Sequence, residues 1–347
     1  MIEIAGRKIG EGQPCFIIAE AGVNHNGSVK LAFQLVDAAV NAGADAVKFQ
    51  TFIPEKLVSA AAPKAEYQLQ TTDPGETQRE MLRGLMLAHN EYTLLKDYCA
   101  TRGILFLSTP FDEDSADFLD TLGVPAFKLG SGELTNLPLL ERIARKGKPM
   151  IISTGMSYLS EVEAALRCVY EAGNTQIALL HCVSNYPTTP ADANLRAMAT
   201  MRQAFGVPVG YSDHTMGRDV SIAAVALGAC VIEKHITINK SLPGPDQQAS
   251  LEPDELIALV QGIRMVESAL GHGRKEPAPS ERNTTEVARR SIVAAHELAQ
   301  GHVITAGDLA IKRPGTGLPP SMLTYVIGRR VRTTIPADTL LRLDALE

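Results

Sequence analysis

The stretch VPVGYSDHTMGRDVSIAAVALGACVIEKHIT, residues 207–237, contains one complete structural unit: apolar run, polar turn, helix-like segment, second apolar run. Both runs end in chemically capable residues, SDHT at 212–215 and EKHIT at 233–237. A buried parallel strand reads as a continuous hydrophobic run, and strand, loop, helix, strand is the βαβ unit. The same kind of junction occurs as FIIAEAGVNH (16–25), AVKFQT (46–51), LFLSTPFD (105–112), AFKLGSGE (126–133), IISTGMS (151–157) and ALLHCVSNYP (178–187), making eight in all. Strands are expected at roughly 14–19, 45–50, 104–108, 124–128, 149–153, 176–181, 207–211 and 229–235. Eight such units predict an α/β fold, the closed (β/α)8 TIM barrel, whose strands all open their carboxyl ends onto one face. The polar junctions then share a pocket.

The chain has 347 residues, more than the about 250 of one barrel, so a second domain is expected. The pattern divides it into a catalytic barrel at 1–271, a linker at 272–286 and a small, mostly β domain at 287–347. The linker segment GHGRKEPAPSERNTTE combines Gly, Pro and charge without hydrophobic periodicity. In the last domain, KRPGTGLPP (312–320) suits neither a helix interior nor a central strand, which places Lys312 and Arg313 on an exposed loop. Between Lys30 and Asn41, Leu31, Leu35, Ala38 and Ala39 fall at helical spacing, with Gly43 as the C-terminal cap. The segment 57–84 is long for a strand-to-helix connection, and insertions of this kind cover the active face.

Composition is that of an ordinary globular protein: 45% hydrophobic, 21% charged, net charge −6. It points to no nucleic acid and no membrane partner. The start MIEIAGRKIG lacks a basic segment followed by an apolar region, so a cytoplasmic location is expected. Cys15, Cys99, Cys168, Cys182 and Cys230 show no metal spacing and are odd in number, reading as small core residues.

The sharpest chemical pair is His214 and His235, at the ends of consecutive strands. Two imidazoles so placed can share a divalent cation, and Asp213 and Glu233 stand beside them to bind it or to orient a histidine. Imidazole and oxygen donors suit Mn²⁺, Mg²⁺, Fe²⁺ or Co²⁺ before structural zinc. His25 is a weaker third candidate. Lys48, Lys128 and Lys234 sit in apolar strands, where an ammonium costs desolvation unless it meets an anion; several at one mouth suggest a phosphate or carboxylate site. Ser131, Gly132, Ser153, Thr154, Gly155 and Ser212 offer hydroxyl and N–H donors. Glu20 and Glu133 are candidate acids or bases, and Asn185 and Tyr186, before Pro187, form a candidate substrate loop.

The set AEAGVNHNGS, VKFQTF, APKAEYQ, STPFDEDS, KLGSGELTNLP, STGMS, GYSDHT, EKHIT and GPDQQASLEPDEL, in this order, resembles the sialic acid synthase family, legionaminic acid synthases included. The final 60 or so residues resemble its antifreeze-like (SAF) domain. The resemblance implies condensation of phosphoenolpyruvate with an N-acetylated hexose, releasing phosphate and forming a nine-carbon 2-keto acid. It further implies a divalent metal, Mn²⁺ before Mg²⁺ or Co²⁺, and a domain-swapped homodimer. Carried onto this chain, His214 and His235 match metal ligands, with His235 also catalytic, and Glu20 and Glu133 match catalytic carboxylates. Lys48, Lys128, Ser131, Thr154 and Ser212 match positions that hold phosphoenolpyruvate. Gln50, Asn185, Tyr186 and Asp246 are expected to bind substrate, and Arg313 matches the arginine sent into a partner's site. Ser184 and Asn185 depart from the family pattern ahead of Tyr186, leaving N-acetylmannosamine and a 2,4-diacetamido-6-deoxy hexose as alternative acceptors. A Schiff-base pyruvate aldolase using Lys128 or Lys48 is the competing enzyme class.

Overall fold

The computed structural model describes residues 1–73 and 75–347. They divide into two units, Met1–Gly271 and His272–Glu347.

The first unit opens with a hairpin, β1 (Ile2–Ile4) and β2 (Arg7–Ile9). Its two-residue turn, Ala5 and Gly6, takes positive φ at both positions, the backbone twist that matches two antiparallel strands. Eight parallel strands follow: β3 (Phe16–Gly22), β4 (Ala46–Thr51), β5 (Leu105–Pro110), β6 (Phe127–Leu129), β7 (Met150–Ser153), β8 (Ile177–Cys182), β9 (Val209–Asp213) and β10 (Val231–His235). Their spatial order is β5-β4-β3-β10-β9-β8-β7-β6. Among the described residues no ladder joins β5 to β6, so the (β/α)8 barrel is nearly closed. A helix follows each strand before the next, at Val29–Ala42, His89–Arg102, Glu113–Leu122, Leu137–Ala144, Leu159–Glu171, Ala197–Phe205, Asp219–Ala226 and Pro253–Leu270. The first ends at Gly43, whose φ of 78° lets its N–H donate to the Ala39 and Val40 carbonyls.

Side chains alternate across each strand, and this parity decides which strand residues reach the site. Ile17, Ala19, Val47, Phe49, Phe127, Ile152, Leu179 and Ile232 face the helices in one large core. Phe16, Ile18, Ala46, Leu107, Ile151, Leu180 and Val231 face inward, where Ile2, Ile4 and Ile9 of the hairpin join them and fill the lower barrel. At the level above, the inward positions turn polar. Gly210 is where the interior is tightest: a Cβ there would lie 2.3 Å from the Val231 carbonyl oxygen and 2.8 Å from Leu180 Cδ2. Gly210→Ala should therefore cost about 3 kcal/mol, measured as a lowered midpoint in urea with the slope unchanged.

The connection expected to cover the active face forms short helices at Pro54–Leu57, Glu66–Thr71 and Gln78–Leu85. Val23, Phe52, Met81 and Leu85 give it a small core.

In the second unit, β11 (Ser291–Ala294) pairs antiparallel with β12 (Leu309–Lys312). Isolated bridges such as Val293–Leu340 and Leu298–Ile335 extend the pairing. Ile292, Leu298, Ile304, Val326, Val331 and Leu341 form its core. The stretch expected as linker, 272–286, is only partly irregular, because a helix spans Arg282–Ala288. That helix has no buried residue, hence no apolar stripe for sequence periodicity to reveal. No helix among the described residues is long and apolar enough to cross a membrane.

Candidate active site

At the carboxyl ends of the strands lies a cavity of about 200 Å³. Its walls are the inward positions of successive strands: Glu20 of β3, Lys48 and Gln50 of β4, Thr109 of β5, Lys128 of β6, Ser153 of β7, Cys182 of β8, Ser212 of β9, and Glu233 and His235 of β10. The loops add Phe111, Ser131, Met156, Ser184, Tyr186 and His214.

Two lysines and two carboxylates form a buried charge network across the floor. Lys48 Nζ lies 2.7 Å from Glu20 Oε2 and 3.7 Å from Glu233 Oε2, and donates to Thr109 Oγ1 at 2.9 Å. Lys128 Nζ lies 3.3 Å from Glu233 Oε1 and donates to Ser153 Oγ at 2.9 Å and to the Leu129 carbonyl at 3.0 Å. Burial opposes ionisation of Glu233, but the Lys128 and Lys48 ammonium groups and the Ser212 hydroxyl outweigh it and hold the carboxyl below its usual range. Glu20 goes the other way. Burial raises it to about 7 against the pull of Lys48, with the Glu233 charge adding to the rise. Gln50 Nε2 donates to its Oε1 at 3.2 Å. Burial lowers Lys128, while the carboxylates overcome burial at Lys48 and raise it. Two carboxyl groups with their titrations pushed apart, beside paired cations, make this cavity a candidate for proton movement and anion binding.

The imidazoles of His214 and His235 face each other with centroids 5.4 Å apart. Tyr186 packs on both, 4.0 Å from the first ring and 5.4 Å from the second. His214 Nδ1 is 2.6 Å from the Val183 carbonyl; a carbonyl only accepts, so Nδ1 carries the proton and Nε2 presents a lone pair. Burial lowers His214 to about 4 and His235 well below its ordinary value, leaving both neutral. His235 Nδ1 is buried without a hydrogen-bond partner, 3.8 Å from Asp246 Oδ2. Two neutral imidazoles, one with an orphaned buried nitrogen, fit a divalent cation. Among the described residues no group of three His, Cys, Asp or Glu is arranged to hold one, so further positions would fall to water and substrate.

The remaining sequence candidates are placed differently. Glu133 is buried and accepts from Asn136 Nδ2 at 2.7 Å, which draws it off the cavity into its own turn. Thr154 follows inward-facing Ser153 and so points outward, its hydroxyl donating to the Leu180 carbonyl at 3.0 Å. Asn185 donates to the Pro187 carbonyl within its own exposed loop. Asp246 is buried behind His235, where burial raises it to about 6. Lys234, for the same reason of parity as Thr154, faces away from the mouth and pairs with Asp213. Arg313 is exposed in the second unit. His25 is fully buried, its Nδ1 accepting from the Gly27 N–H at 3.1 Å.

Cys182, expected as a core residue, lines the cavity 3.0 Å from the Ser131 hydroxyl. Burial holds its thiol above the ordinary range, so it acts as a packing and hydrogen-bonding group. A Cβ at Gly155 would fall 2.4 Å from Ser184 Oγ and 2.8 Å from both Cys182 Sγ and Ser131 Oγ. Gly155→Ala should displace Ser131 from the cavity wall and cost about 2 kcal/mol, read as a lowered urea midpoint. On the connection between β4 and the next barrel helix, the ring of Tyr67 lies 5.1 Å from that of Tyr186.

Fold and site together define a (β/α)8-barrel enzyme whose pocket sets paired ammonium groups against two neutral imidazoles. Comparison with known proteins narrows the class. The NeuB family model matches residues 35–275, and the SAF domain model residues 289–347. The chain is 48% identical over 342 residues to N,N'-diacetyllegionaminic acid synthase of Legionella pneumophila, covering 97% of this chain and 96% of that protein. It is 39% identical over 344 residues to N-acetylneuraminate-9-phosphate synthase of Mus musculus, covering 99% and 95%. The crystal structure of N-acetylneuraminic acid synthetase from Leptospira borgpetersenii with citrate aligns with a TM-score of 0.73 at 37% identity, over 82% of this chain and 95% of that one. The chain belongs to the NeuB family, among the sialic and legionaminic acid synthases.

Proposed function

We propose that the chain condenses phosphoenolpyruvate with the open aldehyde form of an acetamido-hexose and water, giving a nine-carbon 2-keto acid and phosphate. The observation that carries this reading is the cavity itself, where Lys48 and Lys128 converge on the same space as His214 and His235. Lys48, Lys128 and the hydroxyls of Ser131, Ser153 and Ser212 bind the phosphate and carboxylate, in a water-poor site where each charge-assisted hydrogen bond is strong. C3 of the enol ester attacks the aldehyde carbon, forming the new C–C bond, and the aldehyde oxygen takes up a proton. Water adds at C2 and loses a proton. The C2–O bond to phosphate then breaks as the C2 hydroxyl gives up its proton to the departing group, releasing hydrogen phosphate and leaving the ketone. Glu20, held to about 7 by burial, exchanges these protons at its carboxyl, and Gln50 fixes its orientation. A divalent cation held by His214 and His235, Mn²⁺ before Mg²⁺ or Co²⁺, supplies Lewis-acid polarisation of the carbonyl when bound.

The higher identity to the legionaminic relative favours a 2,4-diacetamido-6-deoxy hexose over N-acetylmannosamine as acceptor, with N,N'-diacetyllegionaminate as product. Rates with a panel of both sugars test this choice. The reading includes a homodimer exchanging SAF domains, in which Arg313 of one copy serves the other's barrel; light scattering and the kinetics of Arg313→Ala test it.

With ¹⁸O in the bridging position of phosphoenolpyruvate, the label should leave entirely in phosphate; label retained in the keto acid contradicts C–O cleavage. The lowered Lys128 favours one rival, a Schiff-base aldolase. Borohydride with pyruvate should leave activity intact here, whereas covalent inactivation would establish the aldolase.

A further inference from the structure

Directly behind the two imidazoles, on the outer face of the barrel, lies an ion pair that the proposed reaction does not touch. Asp213 and Lys234 are register partners on β9 and β10. Their side chains are both 0% exposed, with Nζ 3.0 Å from Oδ2. Each is the outward neighbour of an inward histidine: His214 follows Asp213, and His235 follows Lys234.

The pair is tied into the turn that carries His214. Asp213 Oδ1 accepts from the backbone N–H and the hydroxyl of Thr215, both at 2.8 Å, and Oδ2 accepts from Ser221 Oγ at 2.6 Å. Lys234 Nζ donates to the Thr215 carbonyl at 2.5 Å. The residues on both sides of His214 are thereby fixed to the residue preceding His235. Burying two charges costs desolvation that an apolar pair of the same shape would avoid, so such a pair is poor evidence of stabilisation and better evidence of specified geometry. What it specifies here is the offset between two strand ends whose inward neighbours are the imidazoles.

We propose that Asp213 and Lys234, with Ser221, are positioning residues that hold His214 and His235 at the mutual placement a divalent cation requires. This rests on the reading of the two histidines as cation ligands. The test is titration of the metal-stripped full chain with Mn²⁺, following free Mn²⁺ by electron paramagnetic resonance. The charge-neutral double variant Asp213→Asn, Lys234→Met should stay folded by circular dichroism and bind Mn²⁺ at least tenfold more weakly, with kcat recovering at saturating Mn²⁺. Ser221→Ala, which keeps the pair and removes one hydrogen bond, should weaken binding about threefold. A folded double variant with wild-type Mn²⁺ affinity overturns the proposal; if the double variant does not fold, unchanged affinity in Ser221→Ala overturns it. His214→Ala separates the two levels: if it binds Mn²⁺ as the wild type does, the cation site itself is misassigned.

Discussion

His235→Ala should lower turnover about a thousandfold while the barrel remains folded. The ring sits at the carboxyl end of β10, inward by parity, with a buried nitrogen that no protein group satisfies. Stabilising developing charge on a carbonyl oxygen contributes several kcal/mol, and each 1.36 kcal/mol is about a factor of ten in rate. In the proposed function truncation removes one of the two imidazoles that would hold the cation, so the variant should also lose any response to added Mn²⁺. Loss of the buried ring's packing against Tyr186 and His214 should cost about 2 kcal/mol of stability without unfolding the barrel. A carbohydrate-binding protein without catalysis predicts the reverse: sugar binding intact and no turnover in the wild type either. Steady-state phosphate release, with circular dichroism as the control for folding, distinguishes the two.

Lys48→Met should be as damaging, and it should damage stability as well. Lys48 meets both carboxylates of the floor. Removing one partner of a buried pair leaves an uncompensated charge and costs about 3–5 kcal/mol. Glu20 is already raised to about 7 with Lys48 present; without that ammonium its folded-state titration moves further up. A raised carboxyl is neutral below the shifted value, so the variant should be least destabilised in acid and lose stability as pH rises through and above neutrality. Denaturant midpoints between pH 5.5 and 8.5 should therefore fall with pH more steeply than in the wild type. Loss of a charge-assisted contact to the substrate should raise the KM for phosphoenolpyruvate by about a hundredfold.

Much of this site was legible because a parallel barrel writes its active face into the chain. An apolar run that ends in a polar cluster is a strand end, and eight of them share one mouth. Glu20, Lys48, Lys128, Ser131, Tyr186, Ser212, His214 and His235 are read this way, Gln50 through the family resemblance, and all line the cavity. The errors have one main source. Lys234 and Thr154 sit at strand ends but on outward positions, and counting alternation from their neighbours Glu233, His235 and Ser153 would have turned them away from the mouth. The same count would have promoted Thr109 and Cys182, inward on β5 and β8. Glu133 and Asn185 could not be placed by alternation, since both lie in turns whose local hydrogen bonds decide where the side chain points. The opening hairpin escaped notice because each of its strands is three residues long, too short for periodicity to register. Its isoleucines plug the barrel floor, an outcome visible only once the barrel exists to be plugged.

The most direct test uses metal-stripped enzyme supplied with phosphoenolpyruvate and a 2,4-diacetamido-6-deoxy hexose, with phosphate and 2-keto acid measured in the same samples. The account predicts no turnover until Mn²⁺ is returned, then one phosphate for each keto acid formed. Keto acid formed at full rate in the presence of chelator, or without stoichiometric phosphate, would contradict it.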